Sequence, residues 1–181
     1  MLGNMVLRIW DVEHGACAML THNLYGQDGR LAMIDSGHTA EWRPSTWLKY
    51  GLKRAKLDYL FITNPDQDHM SDLQGLWDEG IEVTTLIRNP SYTSAEIHAI
   101  KLLSGPVTND AQRYVACCAA YNQPAPEPFD GYMGGITCSL FWNSYPTFIN
   151  TNDLSLVVFI KYANFKILFP GDLGRVNTRL Y

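Results

Sequence analysis

The sequence of 181 residues predicts an α/β fold in one domain, residues 1–181. Short runs of apolar and β-branched residues dominate the first and last thirds of the chain, as is typical of strands. Between them, the apolar run Leu57–Thr63 precedes a short polar loop and a helical pattern over Ser71–Glu79. A strand that is buried on both faces and followed by a crossover helix is the repeating element of α/β proteins. The hydrophobic share of 46% suffices for a core.

The first third of the chain predicts a hairpin and a short helix. Its strands are predicted at Met5–Trp10, Ala16–Thr21 and Leu31–Ile34. The stretch Gly26-Gln27-Asp28-Gly29 predicts a hairpin turn between the last two strands, because both glycines tolerate positive φ. Pro44 suits the first turn of a helix over Ser45–Lys53, which we expect to end near Gly51.

The rest of the chain alternates helices with strands. Ser94 is a suitable N-cap for a helix to about Leu103, and a second helix, about Asn109–Tyr121, follows the Gly105-Pro106 break. The proline-rich stretch Gln123–Phe129 predicts an extended surface loop. Further strands are predicted at Ile81–Ile87, Ile136–Trp142, Leu154–Tyr162 and Phe165–Phe169.

Composition limits the class of function. The net charge of −4 gives the chain no general attraction for nucleic acid, although bound cations can supply positive charge locally. The sequence contains neither a leader pattern nor an apolar run of the roughly 20 residues that a membrane helix needs. We therefore expect a cytoplasmic protein without membrane contact. The cysteines follow no metal-binding spacing and are interpreted as buried thiols: Cys17, Cys117, Cys118 and Cys138.

Potential metal ligands follow the buried strand Leu57–Thr63. Asp66, Asp68 and His69 lie within four residues, between that strand and the next helix. The carboxyl end of a strand is where α/β proteins build sites, and carboxylates with an imidazole suit Zn²⁺, Mn²⁺ or Fe. The alternative is an acidic helix N-terminus, in which the carboxylates stabilise the helix dipole.

Two other predicted strands are also followed by an aspartate with a glycine within two residues. Asp172 follows Gly171 after the strand Phe165–Phe169, and Asp35 precedes Ser36-Gly37 after Leu31–Ile34. Each alone is compatible with a solvent-facing turn. Three strand ends that carry acids are what a metal site assembled from several strands requires.

These motifs resemble the metallo-β-lactamase superfamily, whose pattern is T-H-x-H-x-D-H after a strand, with an earlier I-D-x-G and a later G-D. The segment Asp66-Gln67-Asp68-His69, with aspartate in place of the second histidine, resembles the same segment in the hydrolase domain of ComEC-type competence DNA-uptake proteins. Asp11–Cys17 resembles the opening loop of that branch, and Asn152–Val158 resembles one of its strands. The resemblance extends from about Met5 to Leu173 and implies an αβ/βα sandwich with a dinuclear site at one rim.

The resemblance also implies roles for single residues. Asp66 is expected to bind the first metal, Asp68 and His69 the second, and Asp172 both. Asp68 is also the residue to which we assign a catalytic role. Asp35 is expected to hold a ligand or the attacking water in place. The implied cofactors are Zn or Mn, up to two ions, which make hydroxide available at neutral pH.

The sequence departs from the family pattern at several positions. Asn64 stands where the first histidine is expected, and an amide oxygen binds transition metals less well than imidazole. Asn152 or Asp153 stands near the place of another histidine. His38 is a further candidate ligand because it follows the Asp35 motif.

A last histidine of the family pattern has no counterpart after Asp172, so we expect the chain to lack the C-terminal portion of the sandwich. Apolar surface left by that absence is expected to contact a protein partner or a second copy of the chain.

The sequence is compatible with two functions. One is a metal-dependent hydrolase acting on phosphodiesters, with nucleic acid or a nucleotide as substrate. The alternative is a degenerate domain of the same fold that serves as a non-catalytic binding or interaction module. A natural continuation of the chain beyond Tyr181 would favour the enzyme.

Overall fold

The computed structural model describes residues 4–24 and 27–174, which form two β-sheets and a layer of helices. The strands are β1 (Asn4–Ile9), β2 (Ala18–Leu24), β3 (Gln27–Ile34), β4 (Lys56–Phe61), β5 (Glu82–Ile87), β6 (Thr137–Trp142), β7 (Leu156–Tyr162) and β8 (Phe165–Phe169). The helices are α1 (Pro44–Thr46), which continues as a π-helical segment (Trp47–Gly51), α2 (Gln67–Met70), α3 (Leu73–Asp78), α4 (Ser94–Leu103) and α5 (Asn109–Ala120).

The larger sheet has the order β1-β2-β3-β4-β5, and the smaller one has the order β6-β7-β8. Strands β1, β2 and β3 are antiparallel neighbours, whereas β3, β4 and β5 run parallel. The predicted hairpin is confirmed as the antiparallel pair β2 and β3. Strand β3 begins at Gln27, within the stretch predicted as the turn. Residues 25 and 26, which include Gly26 of that predicted turn, lie outside the described residues.

The larger sheet is buried on both faces, which explains its continuous apolar strands. Met33 and Leu60 pack with the helices, whereas their chain neighbours Ile34 and Phe61 pack with the smaller sheet. Because successive side chains of a strand point to opposite faces, both sides of β3 and β4 must be apolar. The predicted α/β class is confirmed as three layers: helices, larger sheet and smaller sheet.

The helix predicted over Ser71–Glu79 is shorter, and α2 precedes it. The break falls at Asp72, whose N–H donates to the Ser36 carbonyl at 2.9 Å. Its buried carboxylate accepts from Ser45 N at 2.8 Å and pairs with Arg43 at 3.0 Å. These tertiary bonds hold Asp72 outside helical geometry and separate α2 from α3.

The N-cap of α4 is Thr93, one residue before the predicted Ser94. Thr93 Oγ1 accepts from Glu96 N at 3.3 Å, and the Glu96 carboxylate accepts from Thr93 N at 2.7 Å. This reciprocal pair is a capping box, which satisfies two N–H groups that the first helical turn leaves free.

The smaller sheet buries one face only. Its inner residues pack against the larger sheet, whereas Phe141 and Leu168 on the outer face are 57% and 54% exposed. The cysteines are free and buried, as expected. Within the described ranges, no helix has the length and apolar character needed to cross a bilayer.

Three tryptophans pack together where β1 ends. The ring of Trp10 stacks on Trp42 at 4.9 Å between centroids and meets the edge of Trp47 at 4.8 Å. The Trp10 N–H donates to the Cys17 carbonyl at 3.1 Å, which closes the loop between β1 and β2 at its base. The cluster therefore anchors this loop to the helical layer.

Leu60→Ala is expected to lower the free energy of unfolding by about 2–5 kcal/mol, because the substitution leaves a cavity in β4 that the packed neighbours cannot fill. Leu60 is 0% exposed, whereas Leu103 on α4 is 89% exposed. Leu103→Ala is the matched control and should change stability by no more than about 0.5 kcal/mol. Urea unfolding followed by far-UV circular dichroism measures both. Equal losses would contradict the described core.

Candidate metal centre

The two sheets meet where β4 ends and β7 begins. The Leu156 N–H donates to the Thr63 carbonyl at 2.6 Å, joining the strands of different sheets. Gly171, just after β8, has φ +58°, and a Cβ there would lie 3.0 Å from Ser155 and 3.1 Å from the Thr63 carbonyl oxygen. Glycine thus lets the chain after β8 approach this junction and places Asp172 beside it.

Asp35 is the buried polar centre of the junction. It follows β3 in the left-handed region, with φ +59°, which aspartate tolerates better than most residues. Its carboxylate accepts from Thr63 N at 2.7 Å, from Thr63 Oγ1 at 2.5 Å and from His69 Nδ1 at 2.9 Å. These bonds connect the ends of β3 and β4 to α2.

The bond to Asp35 leaves the other nitrogen of the His69 ring directed at the rim. His69 Nε2 lies 3.1 Å from Asp172 Oδ1. Asp172 is held in turn by its N–H, which donates to Ser155 Oγ at 3.2 Å. In the part of the chain that the structure describes, Asp68, His69 and Asp172 form a group whose potential ligand atoms all lie within 4.8 Å of one another.

The carboxylates control the protonation of His69. Burial lowers the pKa of the imidazole, but the hydrogen bond and charge of Asp35, with the charges of Asp172 and Asp68, raise it to about 9. Burial raises the pKa of the Asp35 carboxyl, and its bonds to His69 and Thr63 oppose that rise. At neutral pH both ring nitrogens of His69 are therefore protonated and donate to carboxylates.

The loop between β1 and β2 packs against Asp68. Gly15 has φ +82°, and a Cβ there would lie 2.1 Å from the Asp68 carbonyl oxygen. The Gly37 N–H donates to the Ala16 carbonyl at 2.9 Å, which joins this loop to the turn after β3. The predicted opening loop Asp11–Cys17 is thus packed directly on α2 at Asp68.

Asp66 lies outside the three-residue group. It is the N-cap residue of α2, but its carboxylate makes no capping bond. Instead Oδ1 pairs with Lys101 Nζ at 2.9 Å, and Oδ2 accepts from Thr151 Oγ1 at 2.8 Å. Asn64 is buried beside it and donates from Nδ2 to Asn152 Oδ1 at 3.1 Å.

The other candidate ligands also lie outside the group. His38 Nδ1 is 2.7 Å from Ser71 Oγ. The carbonyl of Asp153 accepts from Asn143 Nδ2 at 3.0 Å, and the Asp153 carboxylate does not join the described group.

Comparison with protein families agrees with this arrangement. A model described as the metallo-beta-lactamase superfamily matches residues 22–180, which include all three residues of the group. The chain belongs to the metallo-β-lactamase superfamily. No curated protein matches it.

Members of this superfamily typically bind metal ions, and the group at the rim has a suitable donor set. Two carboxylates and one imidazole nitrogen are ligands that Zn²⁺ and Mn²⁺ accept. A carboxylate on the far nitrogen of a ligating histidine is the common arrangement in metal proteins, because it fixes the orientation of the ring. The bond from His69 Nδ1 to Asp35 meets this condition. Asp68, His69 and Asp172 therefore fit a metal ion.

Three residues of the site were not predicted from the sequence. Thr63 and Ser155 position Asp35 and Asp172 through hydroxyl groups, and Lys101 binds Asp66 from α4. Thr63 stands at the first position of the superfamily pattern and Ser155 lies within Asn152–Val158, so these motifs could have indicated both residues. Lys101 lies on α4, whose sequence contains no motif that indicates a functional site.

Metal binding should strengthen with pH. Because His69 Nε2 must lose its proton to bind an ion, the affinity for Mn²⁺ should rise about tenfold per pH unit below pH 9 and then level off. Titration of metal-free protein, followed by the electron paramagnetic resonance of free Mn²⁺, measures this.

Asp35→Asn removes the charge that most raises the pKa of His69. The pH at which the affinity for Mn²⁺ levels off should therefore be lower in this variant. Asp78→Asn, an exposed change on α3, is the control and should leave the profile unchanged. A wild-type affinity that is constant between about pH 6 and pH 8 would contradict the protonated state of His69.

Proposed function

We infer that the protein is a metal-dependent hydrolase that acts on phosphodiesters, in nucleic acid or in a nucleotide. The observation that carries this proposal is the approach of Asp172 to the sequence neighbours Asp68 and His69, with potential ligand atoms that all lie within 4.8 Å of one another. Two carboxylates and an imidazole nitrogen at this spacing are a donor set that a divalent ion can bind.

Each of these residues has a defined part in the proposed site. The Asp68 and Asp172 carboxylates and His69 Nε2 would hold the ion. A divalent ion held there supplies Lewis acidity, which makes a nucleophile available at neutral pH and stabilises negative charge on the substrate. Asp35 fixes the ring of His69, and Ser155 fixes the backbone of Asp172. The ligand positions are therefore set before the ion binds.

A groove of about 390 Å³ adjoins the group and supports a polar substrate. Asp66 and Asp68 form one side of it, next to α2. The remaining polar lining consists of Gln67, Lys101, Ser104 and Thr108. The phosphodiester part of the proposal is supported by the ComEC-type sequence resemblance, and metal ions commonly neutralise phosphoryl oxygens in such reactions.

A second candidate is a non-catalytic binding module of the same fold. It is favoured by Asn64 and Asp66, whose side-chain oxygens already accept hydrogen bonds within the protein. In that case the exposed apolar side chains of the smaller sheet, including Phe141 and Leu168, would form the surface for a protein partner or a second copy.

Metal content and hydrolysis separate the two candidates. Protein purified without added metal and then dialysed against Mn²⁺ should bind at least about one equivalent and cleave bis(p-nitrophenyl) phosphate. Asp68→Ala should lose both properties, because it removes a ligand. Asp78→Ala, which removes an exposed carboxylate on α3, should retain them.

Elemental analysis and absorbance of released nitrophenolate are the readouts. Metal binding without any cleavage would favour the binding module. Binding of less than half an equivalent would remove the basis for a metal site altogether.

A further inference from the structure

Both oxygens of the Asp66 carboxylate are bonded to side chains of this protein. Oδ1 pairs with Lys101 Nζ at 2.9 Å, and Oδ2 accepts a hydrogen bond from Thr151 Oγ1 at 2.8 Å. Lys101 lies in the last turn of α4, and Thr151 precedes β7. Two elements from distant parts of the chain thus use the oxygens with which Asp66 would hold an ion.

The neighbouring amide is engaged as well. Asn64 Oδ1 accepts from the Asp66 N–H at 3.1 Å, and Asn64 Nδ2 donates to Asn152 Oδ1 at 3.1 Å. Asn64 is 0% exposed, so its own side-chain amide has no access to solvent in this arrangement. Rotating this amide toward an ion would leave buried polar groups without partners, which is unfavourable.

The charge balance differs between the two halves of the site. The Lys101 side chain is only 12% exposed and Asp66 is 29% exposed, so the ammonium depends on the carboxylate as its counter-charge. The pair has no net charge to attract a second cation, and a divalent ion beside it would be repelled by the ammonium. Asp68 and Asp172 have no lysine or arginine partner among the described ion pairs, and the partner of Asp172 is His69, itself one of the proposed ligands.

We propose that the ammonium of Lys101 takes the place of the first metal ion, so that this protein holds a single divalent ion at Asp68, His69 and Asp172. The inference rests on the proposed metal site and replaces the expectation of two ions. The residues of the first position, Asn64 and Asp66, do not fit a metal while Lys101 is paired with Asp66. They fit a lysine, which supplies a fixed positive charge beside the groove that Asp68 also lines.

Metal stoichiometry tests this inference without reference to activity. Native mass spectrometry of the full chain titrated with Mn²⁺ should give about one equivalent for the wild type. Lys101→Met keeps most of the length of the side chain but removes its charge, and the variant should bind a second equivalent. Lys101→Arg keeps a cationic side chain and should still bind one equivalent of Mn²⁺. The matched control is Lys56→Met, which removes an exposed ammonium that lies 3.8 Å from Glu82. This variant should also bind one equivalent of Mn²⁺.

A second measurement needs no variant. Anomalous scattering from crystals of the wild type grown with Mn²⁺ should show one peak, between Asp68, His69 and Asp172, with Lys101 still paired to Asp66. Two equivalents in the wild type, a peak beside Asp66, or a folded Lys101→Met protein that remains at one equivalent would overturn the inference. Those outcomes would leave the proposed hydrolase intact, whereas a wild type that binds no Mn²⁺ would overturn both.

Discussion

The carboxylate of Asp35 is the contact on which the geometry of the site depends. It binds the backbone and hydroxyl of Thr63 and one nitrogen of His69 in a region closed to solvent. A buried carboxylate requires such partners, because an unpaired charge in a protein interior is strongly unfavourable. The same three bonds set the relative positions of β3, β4 and α2, so the stability of the fold and the orientation of a prospective metal ligand have a common cause.

The rest of the rim follows from the way the two sheets join. The parallel strands β3 and β4 end at the same edge, and the bond from Leu156 to Thr63 brings the start of β7 to that edge. Since β7 and β8 are antiparallel neighbours, the end of β8 returns to the start of β7 and carries Asp172 with it. Residues more than a hundred positions apart, such as His69 and Asp172, thereby come into contact.

Much of this arrangement could be predicted from local patterns. Apolar runs predicted the strands because the larger sheet is covered on both faces, and the acids at three strand ends predicted where the chain would build a polar site. The break between α2 and α3 could not be predicted, since Asp72 is held by Arg43 and Ser45 from another part of the chain. The pairing of Lys101 with Asp66 could not be predicted either, because the two residues lie far apart in the sequence. A lysine in the last turn of a helix has a sufficient local explanation in the helix dipole, and only the tertiary structure reveals its partner.

The tryptophan cluster at the end of β1 has a practical consequence. Trp10 begins the loop that rests on Asp68 through Gly15, and its ring contacts both Trp42 and Trp47. Indole emission depends on the polarity and proximity of neighbouring rings. A displacement of the loop that reaches its base would alter the contacts of Trp10, so the natural fluorescence of the protein is an optical reporter of such a movement and requires no added label.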